Sequence, residues 1–149
     1  MRLTFAEAQR NVAEIANRES YTKDVIFELL AAYGRSASAI TKLRRGALNL
    51  AEDSENDVLQ RGVVYFKHVP SGNLRSVIDS LDKDPLVVRY NPRYLIASDY
   101  DQLVAKDIKK DTTLDIKLRD IDRNVDFFYG WTGDEVTDEK TEAVADRRA

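Results

Sequence analysis

Along this chain, stretches with an apolar residue at every third or fourth position alternate with short runs of consecutive or alternating apolar residues. The first spacing places side chains on one face of a helix, and the second belongs to strands. Phe5, Ala8, Val12 and Ile15 predict a first helix, and Thr4 with Glu7 forms a capping box that would start it. Val25, Ile26, Leu29, Leu30 and Tyr33 predict a second, capped by Ser20 or Thr22 and closed by Gly34, with Phe27 and Glu28 off the buried stripe. Ala37, Ile40 and Leu43 predict a third helix over 36–45. Leu74, Val77, Ile78 and Leu81 give the cleanest helical spacing, with Ser71 as the cap and Asp82 to Pro85 as the stop.

The strand-type runs lie between and after these helices. Val58-Leu59 and Val63 to Phe66 predict a hairpin turning at Gln60-Arg61-Gly62. Tyr94 to Ala97 reads as a strand buried on both faces. Ser98 to Asp101 reads as a turn, because Ser and Asp side chains bond their own backbone. Leu103 to Ala105 returns as a second strand that Lys106 and Asp107 bring back to the surface. Lys109 to Thr112 then turns the chain into Leu114 to Lys117, which alternates like an edge strand. Leu86-Val87-Val88 fits either a strand piece or the tail of the helical crossover. Ala51 to Asp57 reads as an exposed loop and Arg119 to Asn124 as irregular chain. Val125, Phe128, Tyr129 and Trp131 predict a short aromatic helix closed by Gly130 and Gly133.

These elements predict an α/β domain over 1–131, with a mixed central β-sheet flanked by helices. Residues 132–142 read as an acidic linker, and 144–149 as the start of a following helix in a longer protein. With 149 residues the chain is long enough to bury a real core. Its 43% hydrophobic and 33% charged content is ordinary for a soluble domain. The absence of cysteine removes disulfides, thiolate catalysis and cysteine-type zinc sites. No apolar run is long enough to span a membrane and no signal-peptide core follows Met1, so a cytoplasmic setting is the expectation. A net charge of -3 does not mark a dedicated nucleic-acid binder, although a local basic patch is compatible with it.

One ordered set of motifs narrows this further. Pro92-Arg93-Tyr94-Leu95-Ile96-Ala97-Ser98-Asp99-Tyr100 is followed by Lys106-Asp107-Ile108, then Leu118 to Ile121, then Val125-Asp126-Phe127-Phe128-Tyr129-Gly130-Trp131. This order resembles the N-terminal domain of MmeI-like (type IIL) restriction–modification enzymes. The resemblance implies a PD-(D/E)xK nuclease-like topology, joined in the same chain to a C-terminal, adenine-specific DNA methyltransferase domain. It further implies S-adenosylmethionine as cofactor of the parent protein, none in this segment, and double-stranded DNA as a partner, bound weakly by the segment alone.

In a nuclease of that kind, two carboxylates hold a divalent cation that activates water at a phosphate, and a nearby lysine positions the water. Aligned on Gly62, the resemblance puts Asp57 on the first carboxylate and Lys67-His68-Val69 on the Glu-x-Lys. A lysine thus stands for the glutamate and a valine for the lysine, which implies an inactive nuclease position. The alternative is an active Mg²⁺-dependent endonuclease in which Glu55 or Asp53 joins Asp57, with Lys67 as the positive group. A second alternative is a non-catalytic scaffold or interaction domain. Glu28 is an early-helix carboxylate of the type that can lie near such a metal, although a solvated surface glutamate fits it as well. His68, the only histidine, receives no role. Arg44, Arg45, Arg61 and Lys67 are the candidate phosphate contacts. Asn91-Pro92-Arg93-Tyr94 departs from the Asn-Pro-Pro-aromatic grip of adenine methyltransferases at its third position, and no glycine-rich cofactor turn precedes it.

Overall fold

The computed structural model describes residues 3–133, and within them the strands form one mixed sheet ordered β1-β2-β3-β4-β5. The strands are β1 (Val58–Gln60), β2 (Val64–His68), β3 (Tyr94–Ser98), β4 (Gln102–Asp107) and β5 (Thr112–Lys117). Spatial order follows chain order because the connections are tight turns, except between β2 and β3. Those two run parallel, with Val64 opposite Tyr94 and His68 opposite Ser98, while every other pair is antiparallel. A parallel pair needs a crossover, here supplied by α4 (Leu74–Asp82) and α5 (Pro85–Tyr90). The acidic linker and following helix expected beyond Gly133 lie outside the described residues.

Alternation along the strands divides the core into two layers. Val64, Phe66, Tyr94, Ile96, Leu103 and Ala105 face α1 (Phe5–Ala16), α2 (Asp24–Ala32), α3 (Ala37–Arg44) and two 3-10 helices, 118–123 and 125–132. Tyr65, Leu95, Ala97 and Val104 face α4 and α5 on the opposite side. The central strand β3 is buried along its whole length, because both of its faces are covered.

Most helix signals act as the sequence predicts. Thr4 and Glu7 close a capping box at α1, and Gly34 adopts φ 85° just beyond α2, a conformation glycine reaches without a Cβ clash. Others differ. Asn73, not Ser71, caps α4, its side chain accepting the Ser76 N–H at 3.2 Å. At α2 the capping position is Lys23, without a side-chain cap bond, in place of Ser20 or Thr22, and Thr22 accepts the Asp24 N–H at 3.3 Å just before the helix. Phe27 is 3% exposed rather than off the stripe, because the Arg44 guanidinium covers its ring with Cζ 4.4 Å from the centroid. Leu86-Val87-Val88 is helical. Asp84 caps α5 and Pro85 starts it, a position where proline's missing N–H costs nothing. Val87 is buried there while Val88 is 82% exposed. Arg119 to Asn124 is more ordered than expected, since a 3-10 helix there buries Leu118 and Ile121.

Candidate functional site at the carboxyl ends of the parallel strands

In open α/β sheets, ligands gather beyond the carboxyl ends of parallel strands. Here that edge brings together Lys67 and His68 from β2, Ser98 at the end of β3 with Asp99 and Tyr100 after it, and Asp57 just before β1. The antiparallel register of β1 and β2 sets Val58 against Phe66, which places Asp57 beside Lys67.

Asp57 is 3% exposed. Its Oδ2 accepts a hydrogen bond from Lys67 Nζ at 3.1 Å, and its Oδ1 accepts the His68 backbone N–H at 3.0 Å. Both oxygens are therefore engaged inside the protein. Burial disfavours the Lys67 ammonium, but the hydrogen bond and charge of Asp57 outweigh it and hold Lys67 above its ordinary value. A divalent cation between Asp57 and the position of Lys67 would meet one carboxylate and one ammonium, so this donor set does not fit a metal.

The aromatic side of the edge is built by Tyr100. Its φ of 71° turns the chain out of β3, and the ring stacks on His68 at 4.4 Å between centroids and 19° between planes. Phe66 lies behind it at 6.3 Å. Burial, then the charges of Asp57 and Asp24, push the Tyr100 hydroxyl up to about 12. The turn itself is held as its residue types predict. Ser98 Oγ donates to the Gln102 carbonyl at 2.6 Å, and Asp99 Oδ1 accepts the N–H groups of Asp101 and Gln102. His68, given no role from sequence, thus anchors Asp57 through its backbone and Tyr100 through its ring.

The remaining candidates are dispersed. Glu55 is exposed in the loop before β1, and Asp53 accepts a hydrogen bond from Asn56 Nδ2 at 3.0 Å. Glu28 pairs with Arg18 in a cleft between α1 and α2 that also includes Asn11 and Glu14. Among the described residues, no three carboxylate or histidine side chains converge as a metal-holding group. Arg44 is paired with Asp24, and Arg45 is exposed at the end of α3. Arg61 lies in the β1–β2 turn at the other end of β2 from Lys67, with its guanidinium 5.2 Å from the Tyr90 ring centroid. The four cations expected to contact phosphate therefore do not share one surface.

Sequence reasoning missed the pair Arg93 and Asp107. Asp107 was expected at the surface and is 1% exposed. Arg93 Nε and Nη2 donate to its two carboxylate oxygens at 2.8 and 2.9 Å. The arginine in the Asn-Pro-Arg-Tyr stretch thus serves the sheet. A proline–arginine–aromatic start with an aspartate one strand away was the available signal.

The family model described as "MmeI, N-terminal domain" matches residues 3–149. "DNA methyltransferase A" of Bacillus subtilis (strain 168) is 32% identical over 147 residues, covering 99% of this chain and 16% of that protein. The chain thus spans a small part of the curated relative it matches. No solved structure matches the chain. Nearly full coverage by the family model, over residues whose ordered motifs build β3, β4 and the aromatic 3-10 helix, places this chain in the MmeI N-terminal domain family.

Proposed function

We propose that this chain is the N-terminal module of a restriction–modification DNA methyltransferase acting on adenine, with a nuclease-like topology and an inactive nuclease position. The observation that carries the reading is the 32% identity, across 99% of this chain, to a protein named a DNA methyltransferase. The geometry supports the second half. Lys67 Nζ sits on Asp57, where a metal-dependent nuclease needs a second carboxylate to hold its cation. The six glycines are dispersed along the chain and form no glycine-rich turn. S-adenosylmethionine would therefore be held by other residues of the parent protein. The module's partners are that methyltransferase domain and duplex DNA, and its setting is cytoplasmic. No helix among the described residues is long and apolar enough to cross a membrane.

The test uses the full reading frame. It should transfer a methyl group from S-adenosylmethionine to adenine in duplex DNA and leave plasmid uncut with Mg²⁺ or Mn²⁺. A full-length protein without methyl transfer would end the methyltransferase reading. Nicking that disappears in Asp57→Ala would replace the inactive position with a working endonuclease. Absence of both activities and of DNA binding would leave an interaction domain.

A further inference from the structure

The two edges of the sheet are finished differently. At β1 the outer backbone is closed. Asn49 Oδ1 accepts the Leu59 N–H at 2.9 Å, and the Leu59 carbonyl accepts the Leu50 N–H at 2.8 Å. Strand β5 ends the sheet on the other side, with β4 as its one neighbour. Among the described residues, nothing is hydrogen-bonded to the outer side of the β5 backbone. Sheets commonly blunt such an edge with proline, a bulge or several lysines, because its open N–H and C=O groups pair with any strand that fits. β5 has no proline, pairs with β4 from end to end without a bulge, and carries one lysine. Its six residues give an open edge of about 20 Å.

The pattern along β5 decides which strand fits. Leu114 and Ile116 are half-buried on the α1 face of the sheet. Thr113, Asp115 and Lys117 alternate onto the other face, where Asp115 Oδ2 accepts Arg75 Nε at 2.7 Å. A second copy laid antiparallel against this edge is related by a two-fold axis normal to the sheet. Each residue then opposes one on the same face, and one residue opposes itself. Centring on Asp115 opposes Asp115 to itself, and centring on Thr113 opposes Asp111 to Asp115. Like charges facing each other across strands destabilise the pair. Centring on Ile116 runs Leu114 into Leu118, where a 3-10 helix has replaced the strand. Centring on Leu114 opposes Leu114 to itself, Thr112 to Ile116, Thr113 to Asp115 and Asp111 to Lys117. That register sets apolar side chains at the middle and an opposite-charge pair at each end. Both charges can reach, since Asp111 is 84% exposed and Lys117 is exposed.

We propose that the open edge of β5 is an interface at which two copies of this chain pair antiparallel about Leu114, joining their sheets into one. Leu114 and Ile116 of each copy extend the α1-side core across the seam. The contact buries one short strand per copy, so the dimer is weak and depends on concentration. It goes beyond the methyltransferase reading and stands or falls separately from it.

The 149-residue chain has no cysteine, so a single introduced thiol reports the seam. In sedimentation equilibrium the weight-average mass should rise with concentration from 17.0 kDa towards twice that value. Leu114→Cys should form a disulfide-linked dimer under mild oxidation, because directly opposed residues of an antiparallel pair lie about 4.5–5.5 Å apart at Cα, within disulfide reach. Lys117→Cys should not, because the two Lys117 positions lie about 20 Å apart in this register. Lys117→Glu, which sets a second carboxylate against Asp111, should weaken association about three- to tenfold. Circular dichroism and the melting curve report folding. If Leu114→Cys does not fold, the masses of the wild type and of the surface variant Lys117→Glu decide the matter. A wild type that stays monomeric at every concentration would overturn the proposal, as would a dimer that Lys117→Glu leaves unchanged. So would a dimer that a folded Leu114→Cys does not trap, or that Lys117→Cys traps as readily.

Discussion

Arg93 and Asp107 form a two-pronged ion pair at the start of β3 and the end of β4, with the arginine side chain 13% and the aspartate 1% exposed. The guanidinium fork matches the carboxylate, and Asp107 Oδ1 also accepts the N–H groups of Lys109 and Lys110 at 3.1 and 3.2 Å. One carboxylate thus ties β3 to β4 and shapes the turn leading to β5. Removing one partner leaves the other charge buried, which typically costs about 3–5 kcal/mol. Arg93→Met and Asp107→Asn should each lower urea stability by that order. Arg93→Lys should lose much of it too, since a lysine cannot make both bonds. Wild-type stability in Asp107→Asn would remove the pair from the structural account.

Gly130 should not tolerate a methyl group. A Cβ there would lie 2.7 Å from Arg93 Cζ and 2.7 Å from the Tyr94 hydroxyl oxygen. Neither neighbour is free to yield, because Arg93 is locked by Asp107 and the Tyr94 oxygen accepts the Gly130 N–H at 3.2 Å. Gly130→Ala is expected to cost about 1–3 kcal/mol by overpacking. In a double mutant with Arg93→Met the two losses should be less than additive, as measured by chemical denaturation.

Phe66 and Ile96 sit opposite each other in the parallel pair and are 1% and 0% exposed. Truncation of either to Ala should cost about 2–5 kcal/mol. Glu55→Ala, at an exposed loop position, should stay within about 0.5 kcal/mol of wild type. Equal melting temperatures for the three would mean that this strand pair does not form the core.

Lys67→Glu would set two carboxylates where Asp57 now meets an ammonium. Like charges at that distance repel, so the variant should melt below wild type in chelator and recover stability when Mn²⁺ is added. Wild type should show no Mn²⁺-dependent shift. A metal response in wild type and none in the variant would reverse the role assigned to Lys67.

Alkaline stability should report Tyr100. Its folded pKa, pushed up to about 12, lies above the ordinary tyrosine value of 10.0, because burial and the charges of Asp57 and Asp24 disfavour the phenolate. Between those values the native state holds a proton that the unfolded chain has released, so stability falls as pH rises from about 10 to about 12. Tyr100→Phe should flatten part of that decline and remove one late-titrating phenol from the phenolate absorbance curve. An unchanged curve would show that Tyr100 is solvated. Burial also raises Tyr33, so some alkaline loss should remain in the variant.

Local chemistry was legible wherever a neighbour in sequence supplies the partner. The Thr4–Glu7 box, the turn at Ser98 to Asp101 and the glycine after α2 follow from bonds spanning a few residues. The amphipathic spacing of α1, α2 and α4 and the apolar run of β3 declared their faces, because burying those stripes is what stabilises the elements. The family resemblance was legible for the same reason, since its motifs are contiguous.

Tertiary structure decided what depends on residues distant in the chain. Asp107 looked like a surface residue because its partner lies 14 positions away across a strand pair. Phe27 looked exposed because the guanidinium that covers it comes from another helix. Leu86-Val87-Val88 has strand-type composition, yet Asp84 and Pro85 start a helix whose one buried turn suffices against the sheet. The meeting of distant cations and rings is likewise a property of topology. Arg61 and Arg89 come to one aromatic ring, Tyr90, only because the β1–β2 turn meets the end of α5. The sequence determined which segments would form helices and strands. The three-dimensional pairing of those segments determined which charges are buried, neutralised or left to face a partner, because electrostatic environment depends on distance in space rather than along the chain.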